Sequence, residues 1–121
     1  MANLDIDWLI ARGARSENFD AGQKVFLADE SGGRMFVVRK GRVQIITYGT
    51  VLENVGPGGI FGEMALIDGA PRSAAALASE PTEVLSIDRA QFLALVSERP
   101  EFALAIMSRL AARIRKMNAS L

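Results

Sequence analysis

From Glu17 to Ile87 the chain is written as short runs of β-favouring residues, each closed by a turn signal, and this spacing constrains the fold most. Residues 24–28 read as a strand after the turn Asp20-Ala21-Gly22, and Asp29-Glu30-Ser31-Gly32-Gly33 reads as a polar loop. Residues 35–40 form the next run and stop at Gly41; residues 42–48 follow, with Val43, Ile45 and Thr47 on one side. Gly49-Thr50 fits a tight hairpin turn into a strand over 51–55, which Gly56-Pro57-Gly58-Gly59 ends. Two further strands are expected over 73–78 and 82–87. Closely spaced short strands of this kind imply an antiparallel roll, barrel or sandwich, and no parallel strand–helix–strand pattern competes.

Helical periodicity flanks this β region. Over residues 3–12, Leu4, Trp8 and Ala11 share a face, Asn3 is placed to cap and Gly13 to stop, which suggests a helix docked over a sheet edge. At the other end, Asp88-Arg89-Ala90-Gln91 has the form of a capping box, opening a helix with Phe92, Leu93, Leu95 and Val96. That helix must end near Arg99, because Pro100 follows and suits the first turn of another. In the last helix Phe102, Ile106, Leu110, Ile114 and Met117 form one apolar stripe. Glu101 near its start and Arg109, Arg113, Arg115 and Lys116 near its end complement the helix dipole and read as a solvated face.

Length supports one domain: 121 residues, divided as an N-terminal helix over 1–16, a β-roll over 17–87 and C-terminal helices over 88–121. The 14 basic and 14 acidic residues cancel, which argues against a broad electrostatic footprint for nucleic acid or an anionic membrane. With no histidine and no cysteine, zinc and iron–sulfur sites, disulfides and histidine acid–base chemistry are not expected, and no close carboxylate pair suggests an enzyme. No secretory segment opens the chain and no apolar run reaches membrane-spanning length, so the cytoplasm is the default location.

One stretch carries chemistry: Phe61-Gly62-Glu63-Met64-Ala65-Leu66-Ile67-Asp68-Gly69-Ala70-Pro71-Arg72-Ser73-Ala74. A glycine before Glu63 permits close backbone approach, and a short helical turn from Gly62 would aim free N–H groups at an anion. Arg72, its entry fixed by Pro71, suits a phosphate, while Glu63 accepts hydrogen bonds and suits a sugar hydroxyl. Phosphate and sugar together suggest a nucleotide.

These stretches, with Asp20-Ala21-Gly22-Gln23-Lys24-Val25-Phe26 and residues 35–43, resemble the cyclic nucleotide-binding domains of catabolite-activator-type regulators, kinase regulatory subunits and cyclic nucleotide-gated channels. The resemblance implies a mainly β fold with flanking helices, an antiparallel, jelly-roll-like β-roll between an N-terminal and two C-terminal helices. It implies that residues 61–74 are the phosphate-binding cassette. There Glu63 would accept from the ribose 2′-hydroxyl and Arg72 would pair with the exocyclic phosphate oxygens. Gly62, Ala65 and Ala74 would offer backbone N–H groups, with Met64 part of the same cradle. Ser73 would add a hydroxyl to the phosphate or to a guanine, and Ile45 and Leu52 would form the apolar wall. Cyclic AMP is the preferred ligand, with cyclic GMP admitted, and the last helix is expected to move on binding. No helix-turn-helix follows Leu121, so DNA binding is not expected and a protein partner or effector domain is. The alternative is an interaction or dimerisation module of the same fold that no longer binds nucleotide.

Overall fold

Residues 4–119 are described by a computed structural model, and the alternation of buried side chains along one central strand explains its layering. In chain order the elements are α1 (Ile6–Ala11), β1 (Arg15–Phe19), β2 (Lys24–Phe26), β3 (Arg34–Lys40), β4 (Val43–Thr47), β5 (Thr50–Val55) and β6 (Ile60–Phe61). Then come α2 (Glu63–Asp68), β7 (Ala75–Ala78), β8 (Thr82–Asp88), α3 (Arg89–Glu98) and α4 (Glu101–Ala119). Two four-stranded sheets form, ordered β1-β8-β3-β6 and β2-β7-β4-β5, with every pairing antiparallel.

Four consecutive residues of β3, Met35 to Val38, are fully or almost fully buried. Successive strand side chains point to opposite faces. Met35 and Val37 therefore join the core under the helices, with Leu9, Ile60, Leu85, Ile87, Leu95, Phe102 and Ile106. Phe36 and Val38 join the core between the sheets, with Val43, Val55, Phe61, Ala76 and Val84. The first sheet is thus covered on both faces, by the second sheet and by the helices, which is why β3 and β8 each bury four consecutive residues, Met35 to Val38 and Val84 to Ile87. The fold is the antiparallel β-roll of jelly-roll type with flanking helices that the resemblance implies, one of the roll, barrel and sandwich forms that the strand spacing left open.

Several local expectations shift. Asn3, the expected cap of the first helix, lies outside the described residues; Asp5 caps α1 by accepting from the Trp8 N–H at 3.0 Å. Trp8 and Leu9 form its buried face, Ala11 is exposed, and β1 already begins at Arg15. The hairpin turn is Tyr48-Gly49, one residue earlier than Gly49-Thr50, with Thr47 paired to Thr50. Both turn residues have positive φ, at 47° and 75°, as a two-residue turn matching the strand twist demands. β7 starts at Ala75, leaving Ser73 and Ala74 in the approach to it. The capping box of Asp88 and Gln91 forms in full. In α4, Phe102 and Ile106 are buried and Leu110 packs on the core, whereas Ile114 and Met117 are exposed.

Gly41 and Gly49 separate two reasons for glycine. Both have positive φ, but a Cβ on Gly41 would lie 2.4 Å from the Pro81 carbonyl oxygen and 2.5 Å from Thr82 Oγ1, while nothing stands within 4 Å of Gly49. Gly49→Ala is expected to cost about 1 kcal/mol, the strain of the left-handed conformation alone. Gly41→Ala is expected to cost more than about 3 kcal/mol, because backbone must also move. Urea unfolding of the two variants measures the difference.

Candidate functional site

The cassette closes on Gly62. Its φ of 79° lies in the left-handed region, and it starts α2 without any side-chain cap. A Cβ there would come 2.8 Å from Arg72 Nη1 and 3.2 Å from Phe36 Cδ2, so glycine alone permits the approach. Arg72 uses that space: its Nη1 donates to the Gly62 carbonyl and its Nη2 to the Arg34 carbonyl, each at 2.7 Å. The guanidinium stacks 4.1 Å from the Phe26 ring centroid. The Arg72 backbone is held as well, donating to the Glu30 carbonyl and accepting from the Asp29 N–H, both at 2.8 Å. Arg72 Nε is buried without a hydrogen-bond partner. Burial, with the nearby charge of Arg34, lowers its pKa against the pull of Glu63 and Glu30. An arginine remains charged at neutral pH through such a shift, and its two acceptors are neutral carbonyls, so its charge stays available to an anion.

Glu63 is 2% exposed. Its partner is not Arg72 but Arg113 of α4, whose Nη1 donates to Glu63 Oε1. Arg113 Nε donates to Glu53 Oε2 at 2.8 Å, and Nη2 to the Ile60 carbonyl at 3.0 Å. Burial works against the charge of Arg113, but the carboxylates of Glu63 and Glu53 outweigh it and raise its pKa on balance. One turn earlier, Arg109 Nε donates to the Gly58 carbonyl at 3.0 Å. The basic residues read as a solvated face are therefore divided: Arg109 and Arg113 reach into the roll, while Arg115 and Lys116 are exposed.

The structure brings Gly62, Glu63, Ala65 and Arg72 together. A Cβ on Gly32 would lie 2.4 Å from Ala65 Cβ and 2.8 Å from Arg72 Nε, so the loop before β3 packs directly on the cassette. Ala74 is buried, whereas Met64 and Ser73 are exposed. Ile45 is half-buried against the inter-sheet core, and Leu52, at 59% exposure, lies where the β4–β5 register shifts. Sequence reasoning missed Glu53, Arg109 and Arg113. The signal was present: Arg109 and Arg113 stand three and seven residues after Ile106, on its helical face. Glu53 is two residues before buried Val55, on the same strand face. Two surface hollows, of about 300 and 150 Å³, lie instead where α1 meets α3 and α4, beside the ion pairs Arg12–Glu98 and Arg99–Asp5. The arginines that line them are each paired with a carboxylate and no glycine lies among the lining residues, so the cassette remains the candidate site.

Residues 16–99 match the model of the cyclic nucleotide-binding domain. The chain belongs to that family. The domain is 43% identical over 94 residues to a cyclic nucleotide-gated potassium channel of Mesorhizobium japonicum, covering 78% of this chain and 26% of the channel. It is 33% identical over 108 residues to the cyclic AMP receptor protein of Thermus thermophilus, covering 85% of this chain and 50% of the receptor. The crystal structure of the Thermus thermophilus catabolite activator protein superposes with a TM-score of 0.82 at 31% identity, covering 95% of this chain and 56% of that one. The domain thus spans half or less of the length of both sequence relatives. No helix among the described residues is long and apolar enough to cross a membrane.

Removing Arg113 leaves a nearly inaccessible carboxylate without its charge partner, whereas removing the charge of Glu53 leaves Arg113 bound to Glu63. Arg113→Gln is expected to destabilise by about 2–3 kcal/mol, discounted because Arg113 is itself partly solvated, and Glu53→Gln by about 1 kcal/mol or less. Chemical denaturation followed by circular dichroism reads both.

Proposed function

We propose that this chain is the sensor module of a signalling protein and binds a cyclic 3′,5′-nucleotide in the cassette, with cyclic AMP preferred and cyclic GMP admitted. The observation that carries the reading is the buried pair of opposite charges on either side of Gly62: Glu63 at 2% exposure and Arg72 at 6%, the latter bonded only to neutral carbonyls through its two terminal nitrogens. In this reading Arg72 takes the exocyclic oxygens of the cyclic phosphate. Glu63 accepts from the ribose 2′-hydroxyl. Gly62, Met64, Ala65 and Ala74 line the cradle with backbone, Ser73 offers a hydroxyl, and Ile45 and Leu52 flank the base. The preference for cyclic AMP is supported by the relative named as a cyclic AMP receptor.

The readout is α4. It is hinged at Arg99, whose extended backbone (φ −134°, ψ 92°) precedes Pro100. It touches the site directly through Arg113, so an occupant that changes the hydrogen bonding of Glu63 also changes what holds α4. A ligand shifts such an equilibrium only by its differential affinity for the two arrangements. A regulatory rather than catalytic role, an effector elsewhere in a longer protein, and a cytoplasmic location complete the reading, and no DNA contact is assigned to these residues. A second reading, an interaction module, is favoured by the exposure of Leu104, Met107, Ile114 and Met117 along α4.

Calorimetric titration with cyclic AMP and cyclic GMP decides between them. Binding of either supports the sensor, and binding of neither leaves the interaction module. Arg72→Ala is expected to weaken binding at least about tenfold, and Glu63→Gln by several-fold. Because the chain has no cysteine, spin labels on Met117→Cys and Tyr48→Cys report α4 against the β4–β5 tip without background. The distance distribution is expected to shorten and narrow with nucleotide; an unchanged distribution rules out α4 as the readout.

A further inference from the structure

Glu53 is an acidic residue facing the interior of a sheet. Its Cα partner across the hairpin is Ile45, and it shares a strand face with Val55, itself paired to Val43; Val43 is fully buried and Val55 is 5% exposed. Its carboxylate accepts from Arg113 Nε at 2.8 Å and keeps 25% of its side chain in reach of solvent. The contacts run in series. Arg72 donates to Gly62, Glu63 follows Gly62, Arg113 bonds Glu63 with one nitrogen, and it bonds Glu53 with another. Glu53 and Glu63 are therefore bridged by one guanidinium, which each bonds through a different nitrogen, and Glu53 is the more removed of the two from Arg72 along this series of contacts.

We infer that Glu53 reads the base and favours adenine over guanine, an inference that rests on the cyclic nucleotide reading above. In a nucleotide the sugar lies between phosphate and base. A molecule with its phosphate at Arg72 and its ribose at Glu63 extends its base toward Glu53. An ionised carboxylate accepts hydrogen bonds and donates none. N7 is an acceptor in both purines, but beside it adenine carries an amino group at position 6, a donor, where guanine carries a carbonyl oxygen, an acceptor. Ser73 follows Arg72 at the phosphate end. A guanine that turns its 2-amino group toward Ser73 brings O6 and N7 up to Glu53, acceptor against acceptor. A guanine turned to offer N1–H to Glu53 gives up Ser73. Adenine in the same place offers its 6-amino donor to the carboxylate, so discrimination comes from rejecting the wrong base as much as from binding the right one.

The test is titration of the full chain with cyclic AMP and cyclic GMP, in wild type, Glu53→Gln, Glu53→Ser and Arg113→Lys, with thermal melts to establish folding. Wild type is expected to prefer cyclic AMP. Both Glu53 variants are expected to raise cyclic GMP relative to cyclic AMP by roughly tenfold, and Arg113→Lys to weaken both nucleotides alike. The inference is overturned if wild type prefers cyclic GMP, or if the ratio is unmoved in every Glu53 variant that folds. It is also overturned if Arg113→Lys moves the ratio as far, since Glu53 would then act only by holding α4. A wild type that binds neither nucleotide overturns the sensor reading itself. Binding with a ratio indifferent to Glu53 overturns this inference alone.

Discussion

A carboxylate removed from water must find donors and positive charge, and Glu63 finds both in a single guanidinium. Arg113 reaches it from α4 while also holding Glu53 and the Ile60 carbonyl, so one side chain ties together α2, β5, β6 and the last helix. The desolvation cost of burying Glu63 is offset only while α4 lies against the roll. The helix is thereby committed to the cassette by electrostatics over its second half, where its apolar stripe has already run out into solvent. Over its first half Phe102 and Ile106 hold it by packing. Two kinds of force act on one helix, and only the polar half meets the site.

The two charged residues of the cassette are treated in opposite ways. Glu63 is matched by a countercharge, that of Arg113, which it shares with Glu53. Arg72 is oriented by carbonyl dipoles, by the Phe26 ring and by its own backbone bonds to residues 29 and 30. Carbonyls fix direction without neutralising charge. The result is a rigidly aimed cation on one side of Gly62 and a compensated acceptor on the other, an asymmetry suited to a ligand that is anionic at one end and carries a hydroxyl group next to it.

What sequence reasoning reached, and what it did not, follows from how local each feature is. The short helix begun by Gly62 is encoded in adjacent residues, as is the capping box of Asp88 and Gln91. β1 was missed because Arg15-Ser16-Glu17-Asn18-Phe19 is an edge strand, paired only with β8 and too polar to alternate. The turn at Tyr48-Gly49 was misplaced by one residue. The pattern of Val43, Ile45 and Thr47 suggested unbroken pairing, whereas the register shifts between Ile45 and Ile46. A tyrosine at positive φ is also a poor advertisement for a turn. Glu53 and Arg113 lay beyond reach for another reason: their partnership spans 60 residues, and that of Arg113 with Glu63 spans 50. Nothing near either residue states that a charge is to be buried there; only the strand face and the helix face, taken together, imply it.

The brace at the other end of α4 has an optical consequence. Trp8, the one tryptophan of the chain, packs edge-on against Phe102 at 5.7 Å and lies beneath the guanidinium of Arg99, 4.3 Å from its carbon. Arg99 is the residue where α3 hands over to α4. The indole therefore sits at the junction of α3 and α4 and far along the chain from the cassette, with a cation on its face and an aromatic edge on its flank. Its emission colour and lifetime depend on those two neighbours, so they would register the proposed motion of α4 at its first turn and not occupancy of the cassette as such.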